Sequence, residues 1–501
     1  MITITPPSTL LPEEANQLRE VFRSAGYTAE TLAARSGLLV PPPREVVPSE
    51  TLAAFQDEAD PLNLLGRMFF LGTRCEASAA RESLSGDFID ICVRCGLLRE
   101  LRDELEPQML VVPVQDCLLA SDLQLLASQD EAHFVPTLCD AALHLNLVRI
   151  QKPVDRVLDL CCGFGLHGLL ASSTANEVIA TDVNPRAEAF VRFNASLNGR
   201  DNITAMTGDV LSAVDDETFD LILCNPPFIL SPESVTTYRF SPFELDGFVR
   251  ELFSQVPNYL SEGGVMQAIC EWVEIEGVDW QERLAGWFED CGCDVWILPA
   301  NRQLPSSYAT TALRQTITDP SELARECGRW TAYFEAQKVE AIQGGFVFLR
   351  RRSGNNWIDF TQLTKPIRQP IGDAILRGFE SRDVVFGGND QEILQATPML
   401  GTGMRMTEES RRKGPRWETE SITLHLDEGL PVSIGMDQYV KNLIDRFDGQ
   451  RTVADCLIAF SNDVGLPLET GFTQGLQIAK AMLRSDVLRL PETAVAAIAD
   501  R

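Results

Sequence analysis

At 501 residues, 45% hydrophobic and 23% charged, the chain is long enough for about three cores of ordinary size, and it is neither fibrous nor globally disordered. Its 43 basic and 72 acidic residues leave a formal net charge of −29. Residues 1–128 carry 10 basic against 19 acidic groups, 129–353 carry 17 against 32, and 354–501 carry 16 against 21, so no segment has the basic excess that broad nucleic-acid or anionic-membrane binding requires.

The first segment, 1–128, reads as helical. Leu18, Val21 and Phe22 share one face of a helix over 13–25, and Gly26 stops it. A second helix is expected over 28–35, before Gly37 and the Pro41-Pro42-Pro43 run, and two more over 61–71 and 87–98. Short strands at 109–114 and 117–120, split by Gln115-Asp116, complete an N-terminal helical, winged-helix-like domain.

The rhythm then changes. Arg156–Leu160, Glu177–Asp182 and Phe219–Cys224 are short apolar strands separated by helical stretches, and Val265–Ile269, Val295–Leu298 and Gly345–Arg350 continue the series. Strands alternating with helices predict a parallel α/β sheet across 129–353. Residues 354–501 form a C-terminal extension: mixed helix and loop to about 420, then a compact unit from about 421 with helices near 439–447, 453–460 and 473–483, winged-helix-like in pattern. The basic run Arg405, Arg411, Arg412, Lys413 and Arg416 is the one local hint of a phosphate-binding groove, and a solvated loop is the simpler reading.

Thirteen cysteines, an odd number with no secretion signal, read as reduced thiols. Cys92 and Cys95 lie in an apolar helical pattern. Neither they nor Cys291 and Cys293 have a second pair or clustered histidines at zinc-site spacing, so no metal site is expected. No apolar run approaches the roughly 18 residues of a membrane span. The opening Met1-Ile-Thr-Ile-Thr-Pro-Pro lacks a signal-peptide pattern, so a cytoplasmic location is expected.

The strand at Arg156–Leu160 runs into Cys161-Cys162-Gly163-Phe164-Gly165-Leu166-His167-Gly168. A glycine turn between strand and helix lets a ligand approach the backbone and the helix N–H groups. Asp182 closes the next strand, 19 residues beyond Gly163, where an acid can hold ribose hydroxyls. Nicotinamide dinucleotides and S-adenosylmethionine both fit this pattern. Asp159, inside the strand before the loop, favours the second, because a carboxylate there attracts a cationic amino-acid end and repels a pyrophosphate. Gly208-Asp209, after the third strand, offers a polar side chain to the adenine amino group.

Phe219–Cys224 ends in Asn225-Pro226-Pro227-Phe228, at the carboxyl end of a sheet strand, where open α/β sheets place their sites. Two prolines stop the strand and stiffen the turn. The Asn225 side chain and the Pro226 carbonyl then form two acceptors, suited to the two N–H groups of a planar amide or aromatic amine, and Phe228 can stack on that planar group. Holding both N–H groups orients the nitrogen for in-line displacement at a sulfonium methyl and stabilises the positive charge that develops on it.

Together Asp159-Leu-Cys-Cys-Gly163-Phe-Gly165, Asp182-Val-Asn-Pro, Gly208-Asp209 and Asn225-Pro-Pro-Phe228 resemble the consecutive motifs of class I S-adenosylmethionine-dependent methyltransferases. The last is of the HemK/PrmC-like type, which methylates the glutamine amide of peptide-chain release factors. The resemblance implies a Rossmann-like seven-stranded sheet, S-adenosylmethionine as cofactor, and cofactor contacts at Asp159, Cys161, Gly163, Gly165, Asp182, Asp209 and Asn225. The catalytic turn would be Asn225, Pro226, Pro227 and Phe228. The match is specific over about 155–230 and looser to about 352, and weaker stretches such as Leu18–Tyr27, Thr237-Tyr238-Arg239 and Val278–Arg283 add to it.

One departure stands out: Cys161 occupies the family's first loop glycine, and its Cβ is expected to crowd the methionine end of the cofactor. Cys161, Cys162 and Cys224 are expected as packing residues, because thiol-nucleophile chemistry would place its cysteine beyond the strand's proline. The expected activity is N-methylation of a protein glutamine. The alternatives are an exocyclic amine of ribosomal RNA or DNA, which the charge disfavours, and a cofactor-binding scaffold without activity.

Overall fold

The computed structural model describes residues 5–124, 133–233, 238–387 and 389–491. The expected domain boundary at 128/129 and Thr237 lie outside these residues. The chain divides into two compact units, one of residues 1–145, 152–295 and 301–353, the other of 146–151, 296–300 and 354–501.

In the first unit, helix Pro12–Ser24 begins on a proline and two glutamates, which suit the unpaired N–H groups and positive end of a helix, and it buries Ala15, Leu18 and Phe22. Helix Ala29–Ser36 is capped by the Thr28 hydroxyl, which accepts from Thr31 N at 3.2 Å, and it ends on Gly37. Two expected helices differ from their sequence reading. The one at 61 is α-helical over Pro61–Leu65 and widens over Gly66–Phe70, where the Phe55 ring lies so close that a Cβ on Gly66 would sit 2.3 Å from it. The one at 87 stops at Arg94, because Gly96 turns the chain at φ 87° and Leu98–Glu100 pairs as a strand with Glu104–Pro107.

Met109–Val114 and Cys117–Asp122 form the expected hairpin, every residue of both strands buried.

The sheet consists of β1 (Val154–Leu160), β2 (Ala175–Asp182), β3 (Ile203–Thr207), β4 (Phe219–Cys224), β5 (Leu260–Ile275), β6 (Cys293–Gln303) and β7 (Val339–Arg351), in the order β6-β7-β5-β4-β1-β2-β3. An eighth short strand, Ile358–Phe360, lies next to β6 in the strand order. β1–β5 run parallel and β7 is antiparallel to β5. The later strands are far longer than their apolar cores suggested, because β5 and β7 pair with each other from Val265↔Arg350 to Ile275↔Val339.

Between β1 and β3 lie helices α1 (Leu166–Ala171) and α2 (Pro185–Leu197). One apolar core runs from the N-terminal Phe22, Phe69 and Phe88 through the hairpin to Phe190 and Phe193 of α2. The hairpin's outer edge is closed by α2 through side chains. Asn194 accepts from Ala120 N (2.7 Å) and donates to Ala120 O (2.9 Å), and Asn198, one turn on, does the same with Leu118 at 2.9 and 2.6 Å. Two amides four residues apart thus stand in for a partner strand at Leu118 and Ala120.

The second unit holds helices Gly372–Arg382, Val453–Val464 and Leu468–Arg484 and an antiparallel sheet of Met404–Lys413, Arg416–Leu426 and Ser433–Met436. Arg382 is fully buried in its core. Arg382 lies 3.7 Å from the centre of the Trp296 ring and donates to Asp359 at 2.8 Å. The basic run is therefore not a loop: it lies on a paired β-ribbon, whose register extends from Met404↔Leu426 to Lys413↔Arg416.

Candidate active site

Strand register assembles the site. Leu160 at the end of β1 pairs with Thr181 on β2 and Cys224 on β4, so the loops after these three strands emerge side by side from one edge of the sheet. Asp159 is completely buried. Its Oδ2 accepts from Gly168 N at 2.6 Å, whereas Oδ1 has no partner among the described residues. Burial, eased a little by Gly168 N–H and aggravated by nearby Asp182, pushes this carboxyl up to about 8. A buried, half-satisfied carboxyl of this kind fits the cationic amino group of S-adenosylmethionine.

The loop after β1 opens on Cys161, a non-glycine residue at φ 57°, in the left-handed region. Its thiol lies beside that of Cys224, which is buried at the end of β4. Gly163 (φ 52°) has no neighbour within 4 Å of where a Cβ would sit, so a side chain there would stand in the open cradle. Gly165 (φ 84°) meets Val191 of α2, 2.8 Å from its would-be Cβ, which requires glycine for packing as well as conformation.

Asp182 ties this loop to the next: Oδ2 accepts from Gly163 N and Oδ1 from Asn184 N, each at 2.9 Å. Burial raises its pKa against these donors. Two of about four lone-pair sites are thus used, leaving acceptors for ribose hydroxyls. Gly208 N donates to Asp182 O at 3.0 Å, which sets the exposed Asp209 beside the same loop.

Asn225 and Phe228 are half-buried and Pro226 is buried. The Asn225 side chain lies beside the Cys139 thiol. Beyond Phe228, Ile229 N donates to Arg239 O (3.1 Å) and Leu230 N to the Tyr308 hydroxyl (2.9 Å). That hydroxyl in turn donates to Glu271 on β5. Burial pushes Glu271 up to about 7, with the Tyr308 hydrogen bond and the Arg239 charge pulling the other way. Tyr238 touches Phe134 edge-on at 5.4 Å between ring centres, while Arg239 is buried and donates to Ala312 O at 2.9 Å.

The sequence-derived residues Asp159, Cys161, Gly163, Gly165, Asp182, Asp209 and Asn225–Phe228 therefore lie on neighbouring loops at one sheet edge. Sequence reasoning missed Glu271, Tyr308, Cys139 and Phe134. Glu271 had a signal, an acid within the apolar run from Val265 to Val273. The other three had none.

The strand order, with one antiparallel strand beside β5, and the Asp159–Asp182 cradle define a class I methyltransferase domain, whose cofactor is S-adenosylmethionine. The family described as Methyltransferase small domain matches residues 127–289.

Among similar proteins, a ribosomal protein uL3 glutamine methyltransferase of Bordetella pertussis is 32% identical over 132 residues, covering 24% of this chain and 44% of the relative. A release factor glutamine methyltransferase of Deinococcus radiodurans is 35% identical over 123 residues, covering 24% and 40%. A ribosomal RNA large subunit methyltransferase G of Pseudoalteromonas translucida is 28% identical over 156 residues, covering 30% and 37%. The chain thus spans less than half the length of each of these three. No described helix is long and apolar enough to cross a membrane.

Proposed function

We propose that the chain is an S-adenosylmethionine-dependent N-methyltransferase whose acceptor is the side-chain amide of a protein glutamine. The observation that carries the reading is the position of Asn225-Pro226-Pro227-Phe228, at the end of β4 directly beside the loop that Asp159 and Asp182 hold. The cofactor supplies an electrophilic methyl group. The Asn225 side-chain oxygen and the Pro226 carbonyl accept the two N–H groups of the acceptor amide, fix its plane, and favour the positive charge that grows on nitrogen. Phe228 covers the amide face. Tyr308 and Glu271 act through the loop: by accepting from Leu230 N, Tyr308 holds the limb that follows Phe228.

Two of the three relatives described above are named for glutamine methylation of proteins, and the acidic surface favours a protein over a polyanion. A second reading, methylation of an exocyclic amine in ribosomal RNA, draws on the third relative, because a base amine presents the same planar pair of N–H groups.

The deciding experiment incubates the full chain with methyl-labelled cofactor and extract from cells lacking the protein. Label that protease removes and nuclease does not supports glutamine methylation, and hydrolysis to N5-methylglutamine completes the assignment. Label removed by nuclease alone supports the RNA reading. No label in either fraction overturns both.

A further inference from the structure

We infer that the β-ribbon of the second unit is an RNA-binding arm, which grips the phosphates of a folded RNA with Arg412 and Arg416 and stacks an unpaired base on Trp417. This goes beyond the methyl-transfer reading and does not depend on it.

The ribbon has a fixed root and a free tip. On the second strand Ile422, Leu424 and Leu426 are buried at every second position, and Ser433–Met436 pairs with residues 422–425. Beyond Ile422 the two strands continue alone for about five residues each, roughly 17 Å, and all of 411–420 is exposed.

Register sorts the basic residues of this tip. Arg411 is ion-paired with Glu420 (2.7 Å) and Lys413 with Glu418 (3.1 Å), so both are neutralised within the ribbon. Arg412 and Arg416 have no acidic partner among the described residues. Arg412 lies directly across from Trp417, and Arg416 lies across from Lys413. The Trp417 side chain is 71% exposed, the second most exposed of the large hydrophobic residues after Leu39. Residues 410–417 contain four cations and no acid, in a chain of net charge −29.

Trp417 and Arg412 share one face of the tip and Lys413 and Arg416 the other, so a ring open to stacking stands within one register step of two unpaired guanidinium groups, and their charge selects a polyanion. Folded RNA presents unpaired bases for stacking next to closely spaced phosphates. Duplex DNA keeps its bases stacked inside. The acidic remainder of the chain repels a phosphate lattice, which confines contact to the arm and excludes the broad basic footprint that is missing from the sequence.

The test uses the full-length protein and fluorescence anisotropy with a labelled RNA hairpin carrying an eight-nucleotide unpaired loop. The comparisons are a blunt RNA duplex and anionic phosphatidylglycerol vesicles. The hairpin is expected to bind at least tenfold more tightly than the duplex. Trp417→Ala should weaken hairpin binding about 5- to 100-fold. The double variant R412A/R416A should weaken it and lower the slope of log affinity against log salt by about 1.4 to 1.8, as two lost phosphate contacts require. The pair R23E/R325E, on exposed helices elsewhere, should change affinity less than threefold. No hairpin binding, equal binding to duplex or vesicles, or unchanged affinity in both arm variants overturns the proposal. All of these substitutions are at exposed positions, and circular dichroism confirms their folding.

Discussion

Arg186 and Asp122 form a two-point ion pair, with Nη1 to Oδ2 at 2.6 Å and Nη2 to Oδ1 at 2.5 Å. The two residues belong to different parts of the chain. Arg186 opens α2, four residues after the ribose-side Asp182, and Asp122 ends the N-terminal hairpin and also accepts from Val135 N at 2.8 Å. The N-terminal hairpin is thereby fastened to α2, the helix that follows the Asp182 turn.

Asp122 is fully buried, while the Arg186 side chain keeps 19% exposure and hence some solvent screening. Asp122→Ala removes the anion, strands the Val135 N–H, and leaves the guanidinium only partly hydrated. We expect a loss of about 3 kcal/mol, the lower end of the range for breaking a buried pair. Urea unfolding of the full chain measures it, and a loss below about 0.5 kcal/mol would show the pair to be incidental.

The Asp159 carboxyl gives a pH prediction with a definite sign. Its value in the cofactor-free protein is about 8, above its unfolded 3.8. The stability it contributes is therefore complete below pH 3.8 and is lost as pH rises through 8. Binding a cationic amino group requires the ionised form, so below pH 8 binding must release a proton. Cofactor affinity should rise with pH by up to about tenfold per unit between about 6 and 8 and level off above. Calorimetry in two buffers of different ionisation enthalpy reads the proton directly. Asp159→Asn should abolish the slope and the proton release, and the same slope in both proteins would refute the assignment.

Legibility in the sequence followed the physics of each element. The β1–β4 motifs could be read because strand, glycine turn and acid are close in sequence and each has a local chemical reason. Asn225-Pro226-Pro227-Phe228 was legible because two prolines can end a strand in few ways. Glu271 and Tyr308 were not, since their link is made by β5 pairing and by a helix 37 residues away. The ribbon at 404–426 was misread as loop because its exposed strands have polar residues on both faces, so the period-2 apolar signal survives only at Ile422, Leu424 and Leu426. Asn194 and Asn198 gave no signal either, because an amide standing in for a strand is visible only once α2 lies along the hairpin.

Tyr308→Phe tests the support of the acceptor loop. The ring keeps its edge contact with Phe334, 5.9 Å between centres, but Leu230 N loses its acceptor and Glu271 its donor. Cofactor affinity should stay within about twofold, while methyl transfer falls about tenfold, equivalent to roughly 1.4 kcal/mol of positioning. Since the lost hydrogen bond had been lowering Glu271, its pKa should move further above 7. Any acid limb of the rate profile that depends on Glu271 shifts to higher pH in step. An unchanged rate and profile would remove Tyr308 and Glu271 from the site.

Asn225 and Asp182 should separate cleanly. Asp182 binds two backbone N–H groups and keeps lone pairs for ribose, so Asp182→Ala loosens both the loop and the cofactor, and affinity should fall at least tenfold in calorimetry. The Asn225 side chain bonds none of the loop N–H groups that Asp182 holds. Asn225→Ala should therefore leave cofactor affinity within about twofold. Methyl transfer to a competent substrate should drop about 10²- to 10³-fold, the usual loss when one preorganised hydrogen-bonding group is taken from a transition state. Asn225→Asp keeps an acceptor oxygen and should recover part of the rate. Equal loss of cofactor affinity in the Asn225 and Asp182 variants would mean that Asn225 serves the cofactor and not the acceptor nitrogen. Unchanged turnover in Asn225→Ala would remove it from the chemistry altogether.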